Sequence, residues 1–179
     1  MCYAPGEVFV TIDRETTTRR ATVRYVTSGR RALFLDWGGT LALARDNRTV
    51  TDADGNPVLM PNVPETITRE RPSYDACFIV SNQARIGRGE ISEAEVVRRF
   101  GWLNERLGGV LTDWRLCPHG DDDGCACRKP KPGMFCDLAH VWTIDLEGST
   151  HVGDADKDRA AARAAGIGAF VWAHEFFAW

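Results

Sequence analysis

Ala32-Leu33-Phe34-Leu35-Asp36-Trp37-Gly38-Gly39-Thr40-Leu41 is an apolar run cut off by a carboxylate, two glycines and a threonine. Such a run reads as a buried strand that delivers Asp36 to the edge of a sheet. Open α/β sheets place their ligands and chemistry at the carboxyl ends of their strands. Asp36 is therefore the first candidate for a functional side chain.

The same design recurs downstream. Residues 76–80 are apolar and end at Ser81-Asn82-Gln83, residues 110–117 run into Cys117, residues 150–153 end at Asp154, and residues 168–172 supply a last strand. Helical patterns lie between them. A short helix over 63–71 is stopped by Pro72, and Ser92 with Glu95 forms a capping box ahead of Val96, Val97, Phe100, Leu103 and Leu107 at helical spacing. A proline-started helix covers 133–142, and an alanine-rich one covers 156–165, closed by Gly166. Strands alternating with helices predict an α/β fold with a doubly wound parallel sheet. In it Asp36, Ser81, Lys129 and Asp154 converge at one edge.

Two segments stand outside that alternation. Residues 8–12 and 21–26 are rich in β-branched and aromatic residues and predict a β-hairpin, so residues 1–31 form an extension and 32–179 the main domain. Residues 49–51 and 58–60 flank Asp54-Gly55-Asn56-Pro57 and predict a small β flap over the first strand, with 86–90 as a loop. Asp52-Ala53-Asp54-Gly55 repeats an acidic pattern without a strand before it and reads as an ordinary turn. The tail 175–179 is apolar enough to need a packing surface or a partner.

With 179 residues, 44% hydrophobic and 26% charged, the chain has the composition of a globular domain. Its net charge of -3, with basic residues no denser than pairs, argues against a nucleic-acid partner. No segment matches a membrane span or a leader, which predicts a cytoplasmic protein, monomeric or homodimeric. Three cysteines and a histidine crowd residues 117–127, and in a chain read as cytoplasmic this favours metal binding over disulfides.

Asp36 with Gly-Gly-Thr after it, Ser81 after a strand, Lys129 in Lys-Pro-Lys-Pro, and Gly153-Asp154-Ala155-Asp156-Lys157-Asp158 together resemble the four motifs of the haloacid dehalogenase (HAD) superfamily. Asn82-Gln83, Ile86-Gly87-Arg88-Gly89, Cys117-Pro118-His119 and Cys125-Ala126-Cys127-Arg128-Lys129-Pro130 narrow the likeness. They resemble the small zinc-containing group with D-glycero-D-manno-heptose 1,7-bisphosphate phosphatase and the histidinol-phosphate phosphatase domain. The resemblance implies a Rossmann-like fold, with Asp36 as nucleophile, Ser81 and Lys129 as phosphate-neutralising groups, and Asp158 in support. It implies Mg²⁺ held by Asp36, the Gly38 carbonyl and Asp154, and structural Zn²⁺ on Cys117, His119, Cys125 and Cys127. Arg128 matches a substrate-contacting position, and Thr40, Asn82 and Arg85 join it as candidates. The loops after the first two motifs are too short for a cap domain, so the site is expected to be open and to take a small phosphorylated metabolite of the sugar phosphate class.

One motif position departs from that family. The second aspartate, which protonates the leaving oxygen and activates water, is replaced by Gly38. Three readings follow: a phosphohydrolase that is impaired or specialised for good leaving groups, a phosphate-ligand-binding or regulatory protein with little turnover, and phosphoryl transfer through a long-lived aspartyl-phosphate. A second departure is Ala155, where relatives often carry a polar or basic residue.

Overall fold

The computed structural model describes residues 29–179, so the hairpin expected within residues 1–31 lies outside the described residues. The chain enters strand β1 (Ala32–Leu35) and passes through a flap containing β2 (Ala44–Arg45) and β3 (Arg48–Thr49). Helix α1 (Val63–Glu70) leads through a single 3₁₀ turn to β4 (Ala76–Asn82). A short α2 (Ala84–Gly87), α3 (Glu93–Arg106), β5 (Asp113–Cys117) and α4 (Gly133–Trp142) follow. The chain finishes with β6 (Thr150–Gly153), α5 (Asp156–Ala165), β7 (Ala169–Trp172) and α6 (Ala173–Phe177).

Five strands form one parallel sheet in the order β5-β4-β1-β6-β7, with the Asp36 strand at its centre. Every residue of β1, and of β4 through Ser81, is buried, as expected for strands covered on both faces. Alternate residues serve the two faces. Leu33, Leu35, Cys77 and Ile79 pack with α1, α3 and α6 through Ile67, Phe100 and Phe177. Ala32, Phe34, Phe78 and Val80 pack with α4 and α5 through Phe135, Leu138 and Ala162. The expected doubly wound α/β architecture is thus present.

The flap keeps the expected pairing around its 52–56 turn, through the Thr51–Pro57 bridge and Val58 N–H to Val50 O, and adds a second hairpin. Asp46 and Asn47 both adopt left-handed backbone (φ 49° and 58°), which closes a two-residue hairpin between β2 and β3. Residues 58–60 also return along the segment after β1, with Leu43 N–H donating to Val58 O and Met60 N–H to Leu41 O. Asp52 Oδ1 accepts from the N–H groups of Asp54 and Asn56, so 52–56 is a turn as read. Part of the expected loop over 86–90 is the helical turn α2. The tail finds its packing surface within the chain: Phe177 is buried, and Asn62 Nδ2 donates to its carbonyl at 3.0 Å.

Phe100 of α3 contacts the Trp37 ring edge-on at 4.7 Å, directly beside Asp36. Truncating a buried phenylalanine costs about 3–5 kcal/mol. We expect Phe100→Ala to lose stability of that order in urea unfolding; a change under about 1 kcal/mol would contradict this packing role.

Candidate active site and metal centres

Asp36 leaves the end of β1 with its N–H bonded to Val152 O, which locks the backbone between two neighbouring strands. The chain then turns sharply, as the N–H groups of Leu41 and Ala42 both donate to Trp37 O. Gly39 makes the turn possible. Its φ is +82°, and a Cβ there would lie 2.2 Å from Asp154 Oδ2, so only glycine fits.

Lys129 is buried, and its ammonium meets three acceptors: Asp36 Oδ1 at 2.5 Å, Asp158 Oδ1 at 2.7 Å and Val80 O at 2.9 Å. Burial alone would lower its pKa, but the two carboxylates outweigh it and raise the pKa above that of an ordinary lysine. Burial drives Asp36 the other way, up to about 7, with Lys129 opposing and Asp158 and Asp154 adding. Asp154 stands exposed at the rim and is also raised, by partial burial and by Asp158. Asp158 is fully buried and lowered, chiefly because Lys129 outweighs its desolvation, and it also accepts from Ala155 N–H at 3.1 Å.

Other predicted residues take positions that the sequence could not specify. Ser81 is buried at the end of β4, its Oγ accepting from Gln83 Nε2 at 2.9 Å. Asn82 clamps the lysine loop from both sides, giving Nδ2–H to Lys129 O and taking Lys129 N–H on Oδ1, each at 3.0 Å. Thr40 is buried and turned toward Asp154 Oδ1 at 3.4 Å. Arg128 donates to Asp121 Oδ1 and to His119 O, so it braces the cysteine loop. Arg85 lines an open cavity of about 90 Å³ together with Asp36, Gly38, Ser81 and Asn82. Arg99, Lys157 and Asn47 share that cavity and were not singled out in the sequence, because each reads as an ordinary surface residue. His151, which by sequence reads as structural or exposed, is structural: it is fully buried, gives its Nδ1 side to Phe34 O at 3.1 Å, and is held neutral by burial, with its pKa pushed down to about 3.

The carboxylate oxygens of Asp36, Asp154 and Asp158 lie within 4.8 Å of one another. Asp158 is engaged by Lys129, which leaves Asp36 and Asp154 as the pair able to share a hard divalent cation such as Mg²⁺. Their raised values fit that assignment, since mutual repulsion and burial are what a cation relieves. The second cluster is Cys117, His119, Cys125 and Cys127. Cys117 Sγ lies 3.7 Å from Cys125 Sγ and 3.5 Å from His119 Nδ1, and Cys127 Sγ lies 3.2 Å from Cys117 Sγ and 3.3 Å from His119 Nδ1. A tetrahedral Zn²⁺ with ordinary Zn–S and Zn–N bonds needs edges of about 3.5–3.8 Å. The set is slightly contracted from that and chemically right for zinc. Burial and the neighbouring thiols push Cys117 up to about 12, a crowding that a bound dication removes.

Residues 31–175 match the family described as polynucleotide kinase 3 phosphatase. The chain is 36% identical over 138 residues to the D-glycero-beta-D-manno-heptose-1,7-bisphosphate 7-phosphatase of Pseudomonas aeruginosa, covering 75% of this chain and 76% of that one. It is 37% identical over 112 residues to the enzyme of the same name from Bordetella bronchiseptica, where the match spans 61% of this chain and only 63% of the relative. Among solved structures, the D,D-heptose 1,7-bisphosphate phosphatase of B. bronchiseptica, complexed with magnesium and phosphate, superposes with a TM-score of 0.69 at 33% identity over 78% of each chain. A HAD-superfamily hydrolase from Geobacter sulfurreducens, 14% identical with a TM-score of 0.52 over 79% of this chain and 94% of that one, shares the fold.

Two outcomes follow from the metal centres. Metal analysis should find about one zinc per chain, and Cys125→Ser should lose it along with solubility; a zinc-free, fully soluble native protein would refute the cluster. For Asp36 the folded value, about 7, lies above the ordinary 3.8, so its charge destabilises the fold increasingly as pH rises between those values. Mg²⁺ should therefore raise the melting temperature more at pH 8 than at pH 5. Equal increments at the two pH values would contradict the placement of the cation on Asp36.

Proposed function

The chain belongs to the polynucleotide kinase 3 phosphatase family of HAD-like proteins, and on that premise we propose that it is a Mg²⁺-dependent phosphohydrolase of small sugar-class phosphates, specialised by the loss of its general acid-base. Heptose bisphosphate phosphatases among its relatives support the substrate class. The observation that carries the mechanism is the buried Lys129 ammonium 2.5 Å from Asp36 Oδ1, with Ser81 beside it and Asp154 at the rim.

Asp36 attacks phosphorus, the bond from phosphorus to the leaving oxygen breaks, and the phosphoryl group passes to the carboxylate as an acyl phosphate. Lys129 and the Ser81 hydroxyl hold and neutralise the phosphoryl oxygens during that displacement. Mg²⁺, held by Asp36 and Asp154 with the Gly38 carbonyl, supplies further charge neutralisation when bound. Water then cleaves the acyl phosphate and restores Asp36. Asp158 fixes Lys129, and the zinc-bearing loop presents it.

The leaving oxygen is left without a carboxylic acid or imidazole other than the nucleophile to protonate it. Among the described residues lining the cavity, Asp36 is the sole carboxyl or imidazole group; the other ionisable groups are arginines and a lysine. An absent general acid-base costs about 10²- to 10⁴-fold in rate, or about 3–5 kcal/mol in barrier. Leaving groups that depart as weak bases, such as anomeric or acyl phosphates, escape most of that cost. The same lack of a base favours, as a second reading, a protein that binds a phosphate ligand with little turnover; a long-lived acyl phosphate that hands its phosphoryl group to another acceptor follows from the same geometry.

The position can receive the missing residue. Gly38 lies outside the left-handed region, and a Cβ there would meet only Ala44 Cβ at 3.6 Å. With Mg²⁺, Gly38→Asp should raise phosphate release from alkyl phosphate esters by about 10²-fold or more while changing the rate at which acyl phosphates phosphorylate Asp36 far less. A Gly38→Asp protein that folds and shows no gain on alkyl esters would contradict the acid-base account, and native hydrolysis that survives Asp36→Asn would refute Asp36 as nucleophile.

A further inference from the structure

Helix α5 opens with Asp156, Lys157 and Asp158, and the middle residue runs against its position. A first helical turn favours carboxylates, because its free N–H groups carry partial positive charge, and Lys157 adds a cation there. The carboxylates around it do not offset that charge, since they have other partners. Asp156 accepts from Arg159, Asp121 of the cysteine loop accepts from Arg128, and Asp158 pairs with Lys129, each at 2.7 Å. Asp154 is the rim carboxylate able to share a divalent cation with Asp36. Lys157 is exposed and makes no hydrogen bond or ion pair with any of the described residues.

This surplus cation lines the same cavity as Asp36, Gly38 and Ser81. The other cations lining it, Arg85 and Arg99, are already paired with Glu90 and Glu95 at 3.0 and 2.8 Å. Lys129 lies beneath the floor, engaged by Asp36, Asp158 and Val80 O. Asp36 is buried and Lys157 stands in solvent, so a phosphoryl group seated in the cavity has Asp36 on its inner side and Lys157 toward the mouth. In-line displacement puts the leaving oxygen opposite the attacking one, and a loose transition state leaves much of the negative charge on it. The departing oxygen therefore faces the mouth, away from Lys129.

We propose that Lys157 is a catalytic residue whose ammonium receives the departing oxygen. As the bond from phosphorus to that oxygen breaks, the electron pair stays on the oxygen, and the ammonium donates a charge-assisted hydrogen bond to it while keeping its own proton. The flexible lysine stem lets the charge follow the oxygen outward. This rests on the phosphoryl transfer to Asp36 proposed above and deepens it: with glycine at position 38, charge neutralisation stands in for protonation. A weakly basic leaving oxygen needs no more than that, whereas an alkoxide does.

The test is rapid mixing of the protein and Mg²⁺ with acyl phosphates and a series of substituted phenyl phosphates, following phosphorylation of Asp36 and its subsequent hydrolysis separately. Only the first step contains the leaving group. A donor to a developing oxyanion in a buried site is worth about 10²- to 10³-fold in rate; Lys157 faces water, so Lys157→Met should slow phosphorylation by less, about 10- to 10²-fold. Hydrolysis of the phosphorylated aspartate should keep its native rate, and Lys157→Arg, which retains the charge, should recover most of the loss. Unchanged phosphorylation in Lys157→Met overturns the assignment, as does an equal loss in both steps, which marks a role in folding or in binding the phosphoryl group. A Lys157→Arg protein as slow as Lys157→Met, or a loss that climbs steeply with leaving-group basicity, overturns the charge role in favour of proton transfer. If the native protein never phosphorylates Asp36, this inference and the proposed transfer fail together; if it does and Lys157→Met matches it, only the inference fails.

Discussion

A lysine ammonium buried in the middle of an α/β sheet edge is the constraint on which the rest of the structure depends. An unpaired charge there would be costly, and removing one member of a buried pair typically costs about 3–5 kcal/mol. Lys129 is matched on three sides, by Asp36, Asp158 and Val80 O. Each match fixes another element: Asp36 ends the central strand, Val80 lies on its neighbour, and Asp158 opens α5. The lysine is itself held in place by Asn82, which brackets its backbone, and by a loop whose cysteines and histidine converge to 3.2–3.7 Å. A zinc ion in that cluster would bear on the chemistry without taking part in it, because the loop carries the group that balances the nucleophile.

The same network explains why the substitution at position 38 leaves the scaffold intact. Gly38 contributes no side chain to the charge balance around Lys129, so on the proposed reading its change would alter proton transfer and leave the electrostatics of phosphate binding in place. A site that keeps its ammonium, its hydroxyl and the carboxylates able to hold a cation, but has no carboxylic acid at position 38, would remain matched to phosphoryl groups. It is poorly matched to leaving groups that need a proton. Such a site either acts on phosphates that need no acid or works by holding them.

Much of the architecture was legible in the sequence. The fully apolar runs of β1 and β4, the capping pair Ser92 and Glu95, and Gly166 after α5 report burial and termini directly. The convergence of Asp36, Ser81, Lys129 and Asp154 was legible too, because parallel strands put their carboxyl ends on one edge. The hairpin at the 52–56 turn was legible, while the second one, closed by Asp46-Asn47, was missed because two left-handed non-glycine residues make its turn. Helix α2 was missed because a glycine-rich turn is held by a distant bond, Gly87 N–H to Pro118 O. Arg99 escaped notice because a glutamate four residues earlier reads as a surface ion pair, and only the fold reveals that this side of α3 meets the cavity. Thr40, Asn82 and Arg128 show the opposite limit: the sequence marks them as special, but whether each faces ligand or protein depends on partners up to 114 residues away.

The central claim is that Asp36 takes a phosphoryl group directly, and that with no base at position 38 the resulting acyl phosphate is slow to hydrolyse. The most direct measurement is acid quenching of the native protein mixed with Mg²⁺ and an acyl phosphate, followed by borohydride reduction and peptide mass analysis. The account predicts near-stoichiometric phosphorylation located at Asp36 and absent from Asp36→Asn. Phosphate release with no phosphorylated aspartate, or label on another residue, would contradict it.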